Sequence, residues 1–300
     1  MRSILLLVWV ILLAGCGDSG TRDQVVVYTS VDQHFSEPLF RSFQEKTGIE
    51  VKAVYDVEAN KTTGLVNRII SERAKPKADV FWNGEYSQTL LLADQGLLAP
   101  YRSPQFKLAL LRDPYNLWSA FGGRIRVLII NREAMGDNPV PDSIFDLVDE
   151  RWPAEKVGLA LPLFGTTATH AAALWDRLGT SAAIDYFLRL KTRGVNFLDG
   201  NSVVRDKVVS GELWFGLTDS DDACGAAARG QPISISFPDQ RGEGMGTMVI
   251  PNSVALVSGA GNAGHGRRFI DFILSAEAEE LLSGMGWFHL ASGKVSNSGG

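Results

Sequence analysis

The chain has 300 residues, 45% hydrophobic and 21% charged, which is enough apolar material for a buried core and, at this length, for more than one. That balance excludes a disordered chain and a coiled coil. A formal net charge of −5 lacks the basic field that nucleic-acid binding needs, so the expected ligand is a small molecule or a protein.

Met1-Arg2-Ser3 precedes an unbroken apolar run from Ile4 to Leu13, too short to cross a bilayer comfortably. One positive charge followed by such a run is signal-peptide anatomy. The run leads into Leu13-Ala14-Gly15-Cys16, which resembles the bacterial lipobox, where small residues before the cysteine fit a peptidase and the thiol takes a diacylglycerol. Residues 1–15 are therefore expected to be removed, with Cys16 lipidated and residues 16–24 forming a polar tether at a membrane surface. An ordinary secretory signal with an incidental cysteine is the alternative. The second cysteine, Cys224, is then without a disulfide partner in the folded part and reads as a small buried hydrophobe.

From Val25 the pattern alternates between strand and helix. Val25 to Thr29 is a β-branched run, Glu37 to Thr47 carries Leu39, Phe40 and Phe43 at helical spacing before Gly48, and IEVKAVYD alternates as a strand. A helix from Thr62 to Ala74, the strand ADVFW and a helix from Ser87 to Gln95 follow. The same grammar then repeats, with strands at RIRVLIINRE (Arg124 to Glu133), KVGLALP, GVNFL, ELWFGLT and ISISF. Helices open at Thr166 or Thr167, at Ser181 and near Ser202; GTMVIPNSVALVSG reads as a strand pair or one long bent strand, and helices at Gly266 to Leu274 and Ala276 to Gly284 close the pattern. Alternation at this spacing predicts an α/β sheet with helices on both faces, and ligands then bind where loops leave the carboxyl ends of strands. Those loops are Ser30 to Ser36, Asp56 to Thr63 and Asn83 to Ser87.

Eight segments in order resemble one family: VVVYTSVDQH, FQEKTGIEVKAVYD, KADVFWNGE, GLLAPYRSP, GRIRVLIINRE, FGTTATHAAAL, GELWFGLTDSDDA and MGTMVIPNSVALV. The chain is similar to the solute-binding proteins of bacterial ABC importers, in the group that includes the ferric-iron-binding proteins. The resemblance implies a two-lobed periplasmic-binding-protein type 2 fold, with two crossover strands at Arg124 to Glu133 and Gly246 to Gly259 and solute trapped by hinge closure. It assigns residues 25–124 plus 247–280 to lobe 1 and 125–246 to lobe 2, leaving 281–300 as a tail. Iron-binding relatives hold the ferric ion with a tyrosine pair just after the strand corresponding to ELWFGLT, where this chain reads Thr218-Asp219-Ser220-Asp221-Asp222; its last tyrosine is Tyr186. His34 matches a histidine found near the metal in some members, and Glu58 stands in a loop where others supply a carboxylate.

Thr166, Thr167 and Thr169 at a helix N-terminus offer hydroxyls, backbone N–H groups and the helix dipole to an anion, unless Thr166 or Thr167 serves only as N-cap. Arg124 would add a guanidinium fork, and Lys61 is a weaker candidate for the same anion. Asp219, Asp221 and Asp222 suit a hard cation or an ammonium, with Asp219 alternatively an N-cap. His34, Glu58, Asp219 and Asp221 form the metal-ligand set. His170 faces cleft or core, and Tyr28 and Trp82 read as core or cleft wall, Tyr28 keeping a hydroxyl for ligand. Walker loop, Cys/His zinc cluster and GxSxG elbow are all missing, and Gly242-x-Gly244-x-Gly246 precedes a strand where dinucleotide binding wants it after one.

The expected function is the lipid-anchored substrate-binding component of an ABC importer, in the periplasm or on the extracytoplasmic face, monomeric, passing solute to a permease and ATPase and not acting as an enzyme. The family label implies ferric iron with carbonate or phosphate as cargo. The missing tyrosine pair points instead to a phosphonate or other small organic anion, and a ligand sensor or receptor module is a third reading.

Overall fold

The computed structural model describes residues 23–56, 63–105 and 113–286. In chain order the elements are β1 (Gln24–Thr29), α1 (Gln33–Thr47), β2 (Glu50–Tyr55), α2 (Thr63–Ser71), β3 (Val80–Asn83), α3 (Ser87–Asp94), β4 (Leu98–Ala99), β5 (Ser119–Asn131) and α4 (Arg132–Met135). They continue with β6 (Val157–Ala160), α5 (Gly165–Leu178), α6 (Thr180–Arg193), β7 (Asn196–Leu198), α7 (Asn201–Val209), β8 (Phe215–Asp219), α8 (Ser220–Ala228), β9 (Ile233–Ser236), β10 (Val249–Val257), α9 (Ala263–Ile273) and α10 (Ala276–Gly284).

The strands run β2-β1-β3-β10-β5-β8-β6-β7, with β4 on β10 and β9 on β5. β1, β2 and β3 are parallel, as are β6, β7 and β8; β10 and β5 enter antiparallel between the two sets. Parallel strands need helical crossovers, and those helices bury apolar faces on both sides of each half, giving two lobes. One lobe packs Val25, Val27, Phe43, Trp82 and Phe269 on one face and Tyr28, Phe81 and Leu92 on the other. The second packs Leu128, Trp152 and Phe215 on one face and Val127, Ile129 and Val204 on the other.

β5 joins the halves. Its residues Ser119 to Ile125 pair with β10, and Arg126 to Ile130 pair with β8. The expected strand from Arg124 thus begins five residues earlier, because Ser119 to Phe121 also find partners in β10. The segment expected to cross at Gly246 to Gly259 is one strand, Val249–Val257, paired with β3, β4 and β5; the return to it is tied by the Arg126 N–H donating to Met248 O (2.9 Å).

α1 opens at Gln33, four residues before the expected start, with Pro38 inside it. The proline gives up one hydrogen bond, but Phe35 and Ser36 N–H already donate to Asp32 O, so the first turn closes ahead of it. This places His34 on a helix and shortens the preceding loop. The helix ends as expected at Gly48, whose left-handed φ of 71° returns its N–H to Gln44 O (2.9 Å). Cys224, on α8, is half-buried where burial was expected. Among the described residues no helix is long and apolar enough to cross a membrane. Cys16, Lys61 and Glu58 lie outside the described residues, as does the proposed leader.

Candidate functional site: a cleft at four helix N-termini

A cleft of about 820 Å³ opens at the carboxyl ends of the parallel strands. Its wall includes N-cap and first-turn residues of α1 (Asp32, His34), α5 (Gly165, Thr166, Thr167), α7 (Gly200, Asn201, Ser202) and α8 (Asp219, Asp221, Asp222). In none of the four does an N-cap side chain bond the first turn. Each terminus therefore presents backbone N–H groups and about half a positive charge to the cleft.

Arg124 reaches the cleft wall from β5. One Nη donates to the carbonyl of Gly84 (2.5 Å), the other stands 3.5 Å from Asp219 Oδ2, and Nε is buried with no hydrogen-bond partner among the described residues. Burial works against its charge, but Asp221, Asp219, Asp32 and Asp222 more than offset that and raise its pKa. Gly84 makes the contact feasible: a Cβ there would stand 2.9 Å from Arg124 Nη2.

Asp219 is sealed from solvent. Its oxygens accept from Arg126 Nη1 (2.6 Å), Thr166 Oγ1 (2.5 Å) and Asn201 Nδ2 (3.0 Å). One carboxylate thus ties strand β5 to the starts of α5 and α7, while its own backbone stands at the N-cap position of α8. Expected as a ligand, it is engaged with its own chain, and Thr166 commits its hydroxyl to the same carboxylate, on the oxygen that Asn201 also bonds. Arg126 also donates to Asn201 Oδ1 (3.0 Å) and to His170 Nδ1 (3.4 Å). His170, buried beside it, has its pKa lowered to about 3, by burial first and by Arg126 second, so it stays neutral as an acceptor.

Asp219, Asp221 and Asp222 each place a carboxylate oxygen within 4.8 Å of the others. Burial, then Asp221 and Asp219, push the Asp222 pKa up to about 7, against the pull of Arg205 and Arg124; Arg205 Nη1 bonds it at 2.7 Å. With Asp32 and Asp199 also in the wall, carboxylates outnumber Arg124, the one lining arginine among the described residues, so a bare anion meets like charge while a ligand carrying both signs finds partners for each. No tyrosine stands in the wall among the described residues.

Other expectations are corrected. Thr169 is buried away from the cleft wall and donates to Glu85 Oε2 across the lobes (2.9 Å). Helix α5 starts at Gly165, so Thr166 is not its N-cap. The Tyr28 hydroxyl donates to Glu72 (2.9 Å), and α2 packs over the strand there, so it offers nothing to ligand; Trp82 is core. His34 is exposed at the mouth of the cleft against Phe35. Arg126, Asn201, Glu85, Asp32 and Asp199 escape the sequence reading. Arg126 had a signal, since two arginines spaced by two on an apolar strand share one face.

The family model described as "Bacterial extracellular solute-binding protein" matches residues 75–294. The chain is 24% identical over 294 residues to "Iron uptake protein A1" of Synechocystis sp., covering 91% of this chain and 79% of that protein. It is 25% identical over 261 residues to "Putative 2-aminoethylphosphonate-binding periplasmic protein" of Salmonella typhimurium, covering 85% and 74%. Its fold is similar to that of the periplasmic binding protein AfuA from Actinobacillus pleuropneumoniae with exogenous fructose-6-phosphate bound, at a TM-score of 0.78, 22% identity and coverage of 92% and 87%. With its two lobes, interlobe cleft and a family match over residues 75–294, the chain belongs to the bacterial extracellular solute-binding proteins.

Proposed function

We propose that the protein captures a small zwitterionic organic anion, an aminoalkylphosphonate in type, as the substrate-binding component of an ABC importer. The observation that carries this is Arg124, whose buried Nε lacks a partner among the described residues beside the uncapped start of α5. The phosphoryl group would take Arg124 Nε and the backbone N–H groups and Thr167 hydroxyl of α5. The ammonium would take Asp221 or Asp222, whose charge a bare anion would have to face. A relative named for 2-aminoethylphosphonate supports the same chemistry. The role is binding and not catalysis, in keeping with the family. Periplasmic placement follows the names of the relatives, and an anchor at Cys16 is proposed with it; incorporation of labelled palmitate, lost in Cys16→Ala, checks the anchor.

Ferric iron is the second reading. The oxygens of Asp219, Asp221 and Asp222 lie close enough for one hard cation, and a relative is named for iron uptake. Glu58 and His34 would complete the set, with carbonate or phosphate on Arg124 and Thr167. Calorimetric titration separates the two. The proposal expects 2-aminoethylphosphonate to bind and Arg124→Ala to abolish it. Ferric salt binding in its place, with no response to the phosphonate, overturns it.

A further inference from the structure

The segment Leu161-Pro162-Leu163-Phe164 leads directly into the start of α5. Leu161, Leu163 and Phe164 are 39%, 62% and 41% exposed, and all three line the cleft. None belongs to any of the four apolar cores. The backbone holds them there: Leu161 N–H donates to Leu198 O (2.8 Å), Leu163 N–H to Leu161 O (2.9 Å) and Ala168 N–H to Phe164 O (3.2 Å). The chain thus pins the backbone of a segment that exposes three large apolar side chains in a wall whose other members are mostly polar or charged, immediately before the residues assigned to the anion.

We propose that Leu161, Leu163 and Phe164 are specificity residues that take an apolar body, aromatic or branched, attached to the charged head of the ligand. This rests on the zwitterion reading above. Apolar surface held in place beside a polar anchor is the usual construction of a small-molecule site, with the polar groups fixing orientation and the apolar wall supplying affinity. The cleft, at about 820 Å³, is in the range that holds an organic molecule of some size and far exceeds the space of an ion with one small anion.

The test is calorimetric titration with two probes that carry the same head, aminomethylphosphonate and amino(phenyl)methylphosphonate. In the wild type the phenyl probe should bind roughly tenfold more tightly, the gain expected from burying most of one ring. In Leu163→Ser and in the pair Leu163→Ser with Phe164→Ser, the ratio of the two affinities should fall toward one. These positions are exposed, so the fold is retained, and a thermal melt verifies it. A phenyl group that leaves affinity unchanged or weakens it overturns the inference while the zwitterion reading stands. So does an equal loss for both probes, which would mean that the lip serves lobe closure. If neither probe binds the wild type, both readings fall.

Discussion

Arg126 Nη1 lies 2.6 Å from Asp219 Oδ1, and both side chains are closed off from solvent. The two residues stand opposite each other in the β5–β8 ladder, so backbone register and charge pairing are one interaction. Removing one partner leaves a buried charge alone, which costs about 3–5 kcal/mol. Asp219→Ala should therefore lower unfolding free energy by that much in denaturant titration. The double change Arg126→Met with Asp219→Leu should cost less than Asp219→Ala alone; an equal or larger loss would show that the pair is not the reason for the first effect.

Gly84→Ala should weaken ligand binding with little change in melting temperature. The new methyl would meet Arg124 Nη2 at 2.9 Å, and Ser30 Oγ at 3.7 Å, so the guanidinium is the group that gives way. A displaced charge-assisted hydrogen bond is worth about 1.5–3 kcal/mol, or roughly tenfold or more in affinity for 2-aminoethylphosphonate by calorimetry. Unchanged affinity would mean that Arg124 does not hold the ligand.

Two buried groups make stability depend on pH in opposite directions. His170, depressed to about 3, is neutral when folded, while the unfolded chain takes up its proton near its ordinary value of 6.5. Stability from this group is full above that value and is lost as pH falls toward 3. Asp222, raised to about 7, keeps its proton when folded and loses it near 3.8 when unfolded, so it erodes stability as pH rises from about 4 to 7. Denaturant curves from pH 4 to 8 should show Asp222→Asn losing less stability than wild type on going from pH 5 to 8. His170→Gln should decline less than wild type between pH 6.5 and 4. Parallel curves for the three proteins would refute both assignments.

Thr169→Val removes the hydroxyl that reaches across the lobes to Glu85 while keeping the shape of the side chain. Glu85 keeps Asn83, Ser87 and Gln88 as donors, so the loss should be about 1 kcal/mol in unfolding free energy. The lobes would also be less tied, and small-angle scattering of the unliganded variant should give a larger radius of gyration. No change in either measurement would show that the contact is incidental.

Strand and helix order was legible because local patterns carry it. The run Val25 to Thr29, the helix faces through Phe43 and Ile69, and the glycine stop at Gly48 fall where periodicity places them. What was not legible is partnership. Asp219 has the sequence of a solvent-facing cap, and only the pairing of β5 with β8 brings Arg126 against it. Thr169 has the sequence of an anion donor, yet its place about one turn further along α5 than Thr166 brings it against Glu85 of the other lobe. Asn201 joins Arg126, Thr166 and Asp219 from a part of the chain that shares no local pattern with them.

Strand β5 changes allegiance between Ile125 and Arg126, where β10 gives way to β8 as its partner. Arg124 stands one residue short of that handover, on the axle and not on either leaf. A group seated on Arg124 alone is held much the same whether the leaves are spread or folded, and a ligand that binds two states equally shifts neither. On the proposed binding mode, capture and closure are then separate duties: Arg124 would detain the solute, and contacts lying off the axle, at the starts of α1, α5 and α8, would reward the lobes for shutting.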